Sequence, residues 1–265
     1  MSYALALIGG EEFADGFEDV HARLAEVAYA HRHSTNGHPL KIVYLPTCAA
    51  HDGIETVEYW CEQARQRLGA NRAQVTALKV VDLASAEDAG NARQIAQADW
   101  IYLGGGYPHI GMGILSGTRC LDALYQARER GALISGASAG AMLLCDRSWV
   151  ITPEFDESVT ELVTEGGNPD EWDLPIPPFM DCLGLLPGTL LWPHLNQFFS
   201  MNWVERGIVP PGCTMIGVDE QTAVVRQHDG TWLVLGKGRV VIIGPDRKPL
   251  VYTHGAEFSL DPVKA

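Results

Sequence analysis

Apolar and polar positions alternate along the first 145 residues in a repeating strand-then-helix rhythm. YALALIGG (3–10) is a short apolar run closed by two glycines, and Phe17, Val20, Leu24 and Val27 follow it at helical spacing on an otherwise polar segment. KIVYLPT (41–47) repeats the strand signal. Ile54, Val57, Cys61, Ala64 and Leu68 then recur every three or four residues, with Glu55, Glu58 and Glu62 turned away from them. QVTALKVVDL (74–83) predicts a third strand, and SAED (85–88) has the Ser-x-x-acid form of a helix start, leading into AGNARQIAQA. DWIYLGGG (99–106) predicts a fourth strand, a polar helix carrying Leu121 and Leu124 follows Pro108, and RGALIS (130–135) predicts a fifth strand. Strands alternating with helices at this interval predict an α/β fold with a doubly wound, mostly parallel sheet.

Past residue 150 the texture changes. EGGNPDEWDLPIPP (165–178) is rich in proline, glycine and acid, so residues 152–178 are read as an irregular, exposed segment and a candidate lid. The stretch 213–260 is β-rich, with DG and GKG turn signals that predict hairpins extending the sheet or packing beside it. No internal repeat breaks the chain, and residues 1–265 are taken as a single domain.

In doubly wound sheets reactive groups collect where strands end at their carboxyl edge. Gly9, Gly10, Thr47, Gly104 to Gly106 and Ser138 all fall at such ends. GASAGAML (136–143) places one hydroxyl between two glycines at a predicted strand-to-helix turn, where a nucleophile elbow belongs. The competing use of the same small residues is a tight β–α turn whose serine merely caps the helix. A serine needs a base, and nine histidines are available: His21, His31, His33, His38, His51, His109, His194, His228 and His254. His21, His31 and His33 lie on a polar helix or its exit, and His228 lies beside a DG turn, where a solvated ring is the default. His194 ends the apolar run of LLPGTLLWPHLNQ, with His109 in GGGYPH as its chief rival.

The base in turn needs a carboxylate to fix its tautomer. IGVDEQTAVV offers Asp219 and Glu220 side by side, one expected to point inward and one outward, and spacing leaves the choice open. Backbone donors for a developing oxyanion are available at Ala139, which opens a helix, and at Gly105 or Gly106. The glycine run could instead cradle a phosphate, but no P-loop lysine follows it. Tyr107, His109, Asn196 and Gln197, beside these motifs, are candidate substrate contacts.

In their order along the chain, YLGGG, GASAGA, PHLNQ and GVDEQTA resemble the aspartyl dipeptidase (peptidase E) and cyanophycinase family of serine peptidases. That family is similar in fold to class I glutamine amidotransferases but carries serine where those use cysteine. The resemblance implies Ser138 as nucleophile, His194 as general base and then acid, Glu220 as its orienting carboxylate, and Gly105, Gly106 and Ala139 as the oxyanion hole. It implies no cofactor and a small peptide as substrate. The order Ser, His, Glu also differs from the Ser, acid, His order of α/β-hydrolases. Two departures stand out: Tyr107 and Pro108 follow the glycine run where members usually carry Asn or Asp, and Arg206 is the one arginine in LNQFFSMNWVERG. Neither aspartyl dipeptides nor cyanophycin is therefore carried over as the substrate.

Composition narrows the alternatives. A chain of 265 residues that is 46% apolar can bury a full core. Its formal charge of −14, from 33 acidic against 19 basic side chains, disfavours nucleic acid and anionic membranes as partners. No signal-peptide pattern opens the chain and no long apolar span interrupts it, so a cytoplasmic location is expected. A homodimer is an admissible assembly. Cys48, Cys61, Cys120, Cys145, Cys182 and Cys213 show no CxxC pairing, and reduced buried thiols are expected rather than disulfides or metal ligands. The competing functional classes are a binding or regulatory module and an amidotransferase subunit, the latter disfavoured because position 138 carries no cysteine and Cys145 lies two helical turns further along.

Overall fold

The computed structural model describes residues 3–30, 38–70, 73–227 and 229–260, so His31, His33 and His228 lie outside the described residues. The first half runs β1 (Leu5–Ile8), α1 (Glu18–Ala30), β2 (Leu40–Leu45), α2 (Ile54–Gly69), β3 (Ala73–Ala77), α3 (Leu83–Ala86), α4 (Ala89–Ala96) and β4 (Trp100–Leu103). It continues with α5 (Pro108–Leu115), α6 (Arg119–Glu129), β5 (Leu133–Ala137) and α7 (Ala139–Leu144). Next come β6 (Cys145–Trp149), α8 (Pro153–Thr164), β7 (Phe179–Asp181), β8 (Leu186–Trp192), α9 (Leu195–Phe198) and α10 (Met201–Glu205). The chain closes with β9 (Thr214–Val218), β10 (Thr222–Arg226), β11 (Thr231–Gly236), β12 (Arg239–Ile243), β13 (Pro249–Thr253) and β14 (Glu257–Ser259).

The strands form two sheets, one in the order β14-β11-β10-β1-β5-β4-β2-β3 and one in the order β13-β12-β9-β8-β6-β7. β1 to β5 are mutually parallel, as the strand–helix alternation predicts, while β10 joins β1 antiparallel. Side-chain alternation sorts the core. Ala6, Ile8, Ile42, Tyr44, Trp100 and Tyr102 meet α1 and α2 on one face, whereas Leu5, Leu7, Val43, Leu45, Ile101 and Leu103 face the opposite layer. That second layer holds α4, α6, α7 and the other sheet. Every residue of α7 is buried, consistent with its apolar composition all round.

Several local expectations are corrected. The helix start assigned to SAED is two caps: Asp82 accepts from the Ser85 amide to open α3, and Asp88 accepts from the Asn91 amide to open α4. The segment 152–178 is not irregular throughout, because α8 occupies its first half with Thr152 as N-cap and Pro153 at the first turn. The DG turn does close a hairpin between β10 and β11. The GKG segment does not, since β12 pairs with β9 and β13 and the glycines carry the chain from one sheet to the other. Ile54, expected on the buried stripe of α2, is exposed, whereas Val57, Cys61, Ala64 and Leu68 are buried.

His21, expected to be solvated, is 2% exposed and packs edge-on against Phe17 at 5.0 Å. Its Nε2 has no hydrogen-bond partner among the described residues, and burial is the main cause pushing its pKa from 6.5 down to about 4. Between pH 6.5 and 4 the unfolded chain therefore takes up a proton that the folded one refuses, so stability falls as pH falls through that window. Urea denaturation at pH 7 and pH 4 should show the wild type losing about 3 kcal/mol more than a His21→Phe variant.

Candidate active site

The tip of β1 gathers three segments that are far apart in sequence. The amide of Ser138 donates to the Ile8 carbonyl at 3.0 Å, that of His194 to Gly9 at 3.1 Å and that of Gln221 to Gly10 at 3.0 Å. Gly9 also donates to the Thr222 carbonyl at 3.0 Å. Glycine is required here by contact: a Cβ on Gly10 would stand 2.4 Å from the His194 ring, and one on Gly9 2.1 Å from the Asp219 carbonyl oxygen.

Ser138 sits between β5 and α7 at φ 49°, ψ −122°, a backbone conformation that costs a side-chain-bearing residue about 1–3 kcal/mol. Its hydroxyl makes no helix-capping bond, which removes the capping reading of the motif. Instead Oγ lies 2.9 Å from His194 Nε2, and His194 Nδ1 lies 3.0 Å from Glu220 Oε1. The flanking glycines permit this elbow. A Cβ on Gly136 would meet the Gly140 carbonyl carbon at 2.3 Å, and one on Gly140 would meet the Leu103 carbonyl oxygen at 2.2 Å. Ser138, His194, Glu11 and Gln221 are four of the five non-glycine residues with positive φ among the described residues, so backbone strain concentrates at this site.

The neighbouring acids diverge, although both are largely buried rather than one buried and one solvated. Glu220 faces His194, and its own amide donates to Asn196 Oδ1 at 2.8 Å. Asp219 turns away, accepting from the Arg239 amide at 2.9 Å with the Arg239 guanidinium 3.5 Å distant. The hydrogen bond from His194 is the main cause holding the Glu220 carboxyl below its ordinary 4.5, assisted by Gln197 and Asn196 and opposed by burial. Glu220 is thus ionised where the imidazole must carry a proton.

Of the oxyanion candidates, Ala139 opens α7, where the first amides have no intrahelical partner, and Gly105 comes close enough that a Cβ on it would lie 3.4 Å from the Ser138 Cβ. Gly106 adopts φ +125° against the Cys48 backbone. Beside Ser138 opens a cavity of about 440 Å³. Tyr107 and Gln197 line it, whereas Asn196 supports Glu220 from behind and His109 lies in α5 outside the lining. Arg206 does not reach the cavity either; its guanidinium donates to the Trp172 and Leu174 carbonyls and stacks over Trp203.

The cavity walls themselves escape the sequence reading. Trp149, Trp192 and Trp203 come from three separate elements, and Phe155 and Val159 from α8. The signal for α8 was present in the Thr152–Pro153 start and the spacing of Phe155, Val159 and Leu162, but the acidic, proline-rich tail after it masks the period. Five of the six cysteines are buried and all six are free. Burial pushes the Cys145 thiol up to about 12, which leaves it no thiolate for an amidotransferase role. Among the described residues, no cluster of three or more His, Cys, Asp or Glu is placed to hold a metal, and no helix is long and apolar enough to cross a membrane.

Comparison with known proteins gives the family. The cyanophycinase of Synechococcus elongatus is 27% identical over 193 residues, covering 71% of this chain and 54% of the relative. That of Trichormus variabilis is 24% identical over 182 residues, covering 68% and 56%. The chain thus spans about half the length of the curated relatives it matches. In fold it is similar to a peptidase from an acI-B1 actinobacterium, with a TM-score of 0.79 and 22% identity over 98% of both chains. A putative peptidase E protein from Listeria monocytogenes EGD-e gives a TM-score of 0.58 and 15% identity over 90% of this chain and 100% of the other. The model of peptidase family S51 matches residues 6–234, a span that takes in the β1 tip, the serine elbow, His194 and Glu220, and the chain belongs to that family.

Proposed function

We propose that the protein is a serine peptidase that cleaves an amide bond in a small peptide through an acyl-enzyme. The observation that carries this reading is the series Ser138 Oγ, His194 Nε2, His194 Nδ1 and Glu220 Oε1, joined at 2.9 Å and 3.0 Å. Family membership supports it independently.

In this mechanism Ser138 Oγ attacks the scissile carbonyl while His194 Nε2 accepts the hydroxyl proton. Glu220 holds the Nδ1–H and stabilises the imidazolium. The negative charge on the former carbonyl oxygen falls to the amides of Ala139 and of Gly105 or Gly106. As the C–N bond breaks, His194 returns the proton to the departing amine, leaving an ester on Ser138. Water then attacks that ester, His194 takes its proton, and a second tetrahedral intermediate collapses to release the acid and restore the serine.

An active-site fluorophosphonate tests the proposal directly. It should label the wild-type protein stoichiometrically at Ser138 and leave Ser138→Ala unlabelled. Absence of wild-type labelling in folded protein would identify the chain as a non-catalytic module of the same fold.

A further inference from the structure

The cavity beside the serine has a composition at odds with an acidic substrate. Trp149, Trp192 and Trp203 form one wall, with Trp192 at 5.5 Å from Trp149 and 6.4 Å from Trp203, centroid to centroid. Phe198 continues this wall, 6.4 Å from the His194 ring, so the aromatic surface runs up to the catalytic imidazole. Phe155 and Val159 of α8 also line the cavity. No residue of α8 is fully buried; Phe155 and Val159 are half-buried, packed against the core and lining the cavity.

Charge points the same way. Apart from His194 and Glu220, the charged lining residue is Asp156, whose carboxylate lies 3.5 Å from the Tyr107 hydroxyl. Among the described residues no lysine or arginine lines the space, and Arg206, the cation nearest in sequence to His194, is held by two backbone carbonyls and Trp203. A substrate carboxylate placed here would lose its water, gain no cation and meet Asp156, whereas an aromatic or branched side chain would exchange water for ring contacts.

We infer that this cavity is a specificity pocket for a large apolar side chain on the acyl residue of the substrate. The acyl residue is the one that needs anchoring, because it stays attached to Ser138 through both steps while the amine leaves after the first. The inference rests on the serine-peptidase reading above and adds a substrate class to it: amides of aromatic or bulky aliphatic residues, with acidic residues rejected.

A series of aminoacyl 4-nitroanilides that share the leaving group and differ only in the acyl residue (Phe, Leu, Asp) tests it, alongside fluorophosphonate labelling. The Phe and Leu compounds should exceed the Asp compound in kcat/KM by about 100-fold or more. Val159→Arg should cut the Phe-to-Asp ratio at least about tenfold by bringing a cation to the wall. Thr160→Arg, at an exposed position of α8 that also lines the cavity, provides the same test where Val159→Arg fails to fold. Equal or faster cleavage of the Asp compound by protein whose Ser138 is labelled, or a ratio unmoved by both arginines, overturns the specificity while leaving the peptidase reading intact. No labelling and no cleavage of any compound overturns the peptidase reading and this inference with it.

Discussion

Ser138→Ala is expected to lower kcat by at least about three orders of magnitude while the protein stays folded, because serine, histidine and acid act as a unit. Oγ is the only atom of the side chain within bonding reach of His194, and its loss leaves the imidazole with no proton to take. Folding should survive because Ser138 contributes no cap to α7 and an alanine Cβ occupies the same position. The strained φ of 49° remains in the variant, so thermal unfolding should move little. Steady-state rates on any amide that the wild type cleaves, set against thermal melts of both proteins, check the two halves together. Residual activity within tenfold of wild type would remove Ser138 from the mechanism.

The second large effect separates the adjacent acids. Glu220→Gln should reduce kcat by about two to four orders of magnitude, since an amide of the same shape supplies neither the charge that stabilises the imidazolium nor a fixed tautomer. Asp219→Asn should keep activity within about fivefold, because Asp219 faces the Arg239 amide on the other side of the turn and its replacement retains an acceptor oxygen. That substitution should instead register as a modest loss of stability. The comparison is informative because the two residues are neighbours and both largely buried, so a general disturbance of the turn would affect them alike. A larger catalytic loss at Asp219 than at Glu220 would reverse the assignment.

Much of the molecule is readable from local patterns because each β–α unit announces itself. The apolar run and the helix after it lie within about 30 residues in each of the five parallel strands, and β1 and β4 add a run of glycines at their ends. The family resemblance rests on motifs of the same locality, and the match over residues 6–234 agrees with it. What local pattern does not carry is pairing. β6 is CDRSW, with charges at two of its five positions, and nothing in those residues says that it leaves the first sheet to lie beside β8. The GKG turn has the chemistry of a hairpin, yet β12 finds its partner in β9, over 20 residues upstream. His21 shows the same limit at a single residue: the helix around it is polar, and only the aromatic layer of Phe13, Phe17 and Tyr102 makes its ring a core group.

The choice between Asp219 and Glu220 belongs to this class. Alternation along a strand cannot decide it because both residues lie past the end of β9, on the connection to β10, where the backbone already turns between sheets. The apolar cavity is also non-local, drawn from β6, α8, β8 and α10.

The hydrogen bonds at Ile8, Gly9 and Gly10 carry one more implication. Ser138 and His194 belong to segments far along the chain from β1, yet they donate their amides to Ile8 and Gly9 at its tip, and Gln221, next to Glu220, donates to Gly10. On the proposed mechanism, hydrolytic competence therefore requires β1 to be threaded into the middle of the finished sheet. On the same mechanism, a chain cut within β1 would keep all three reactive side chains yet lose their alignment, so turnover would double as a gauge of whether β1 is correctly seated.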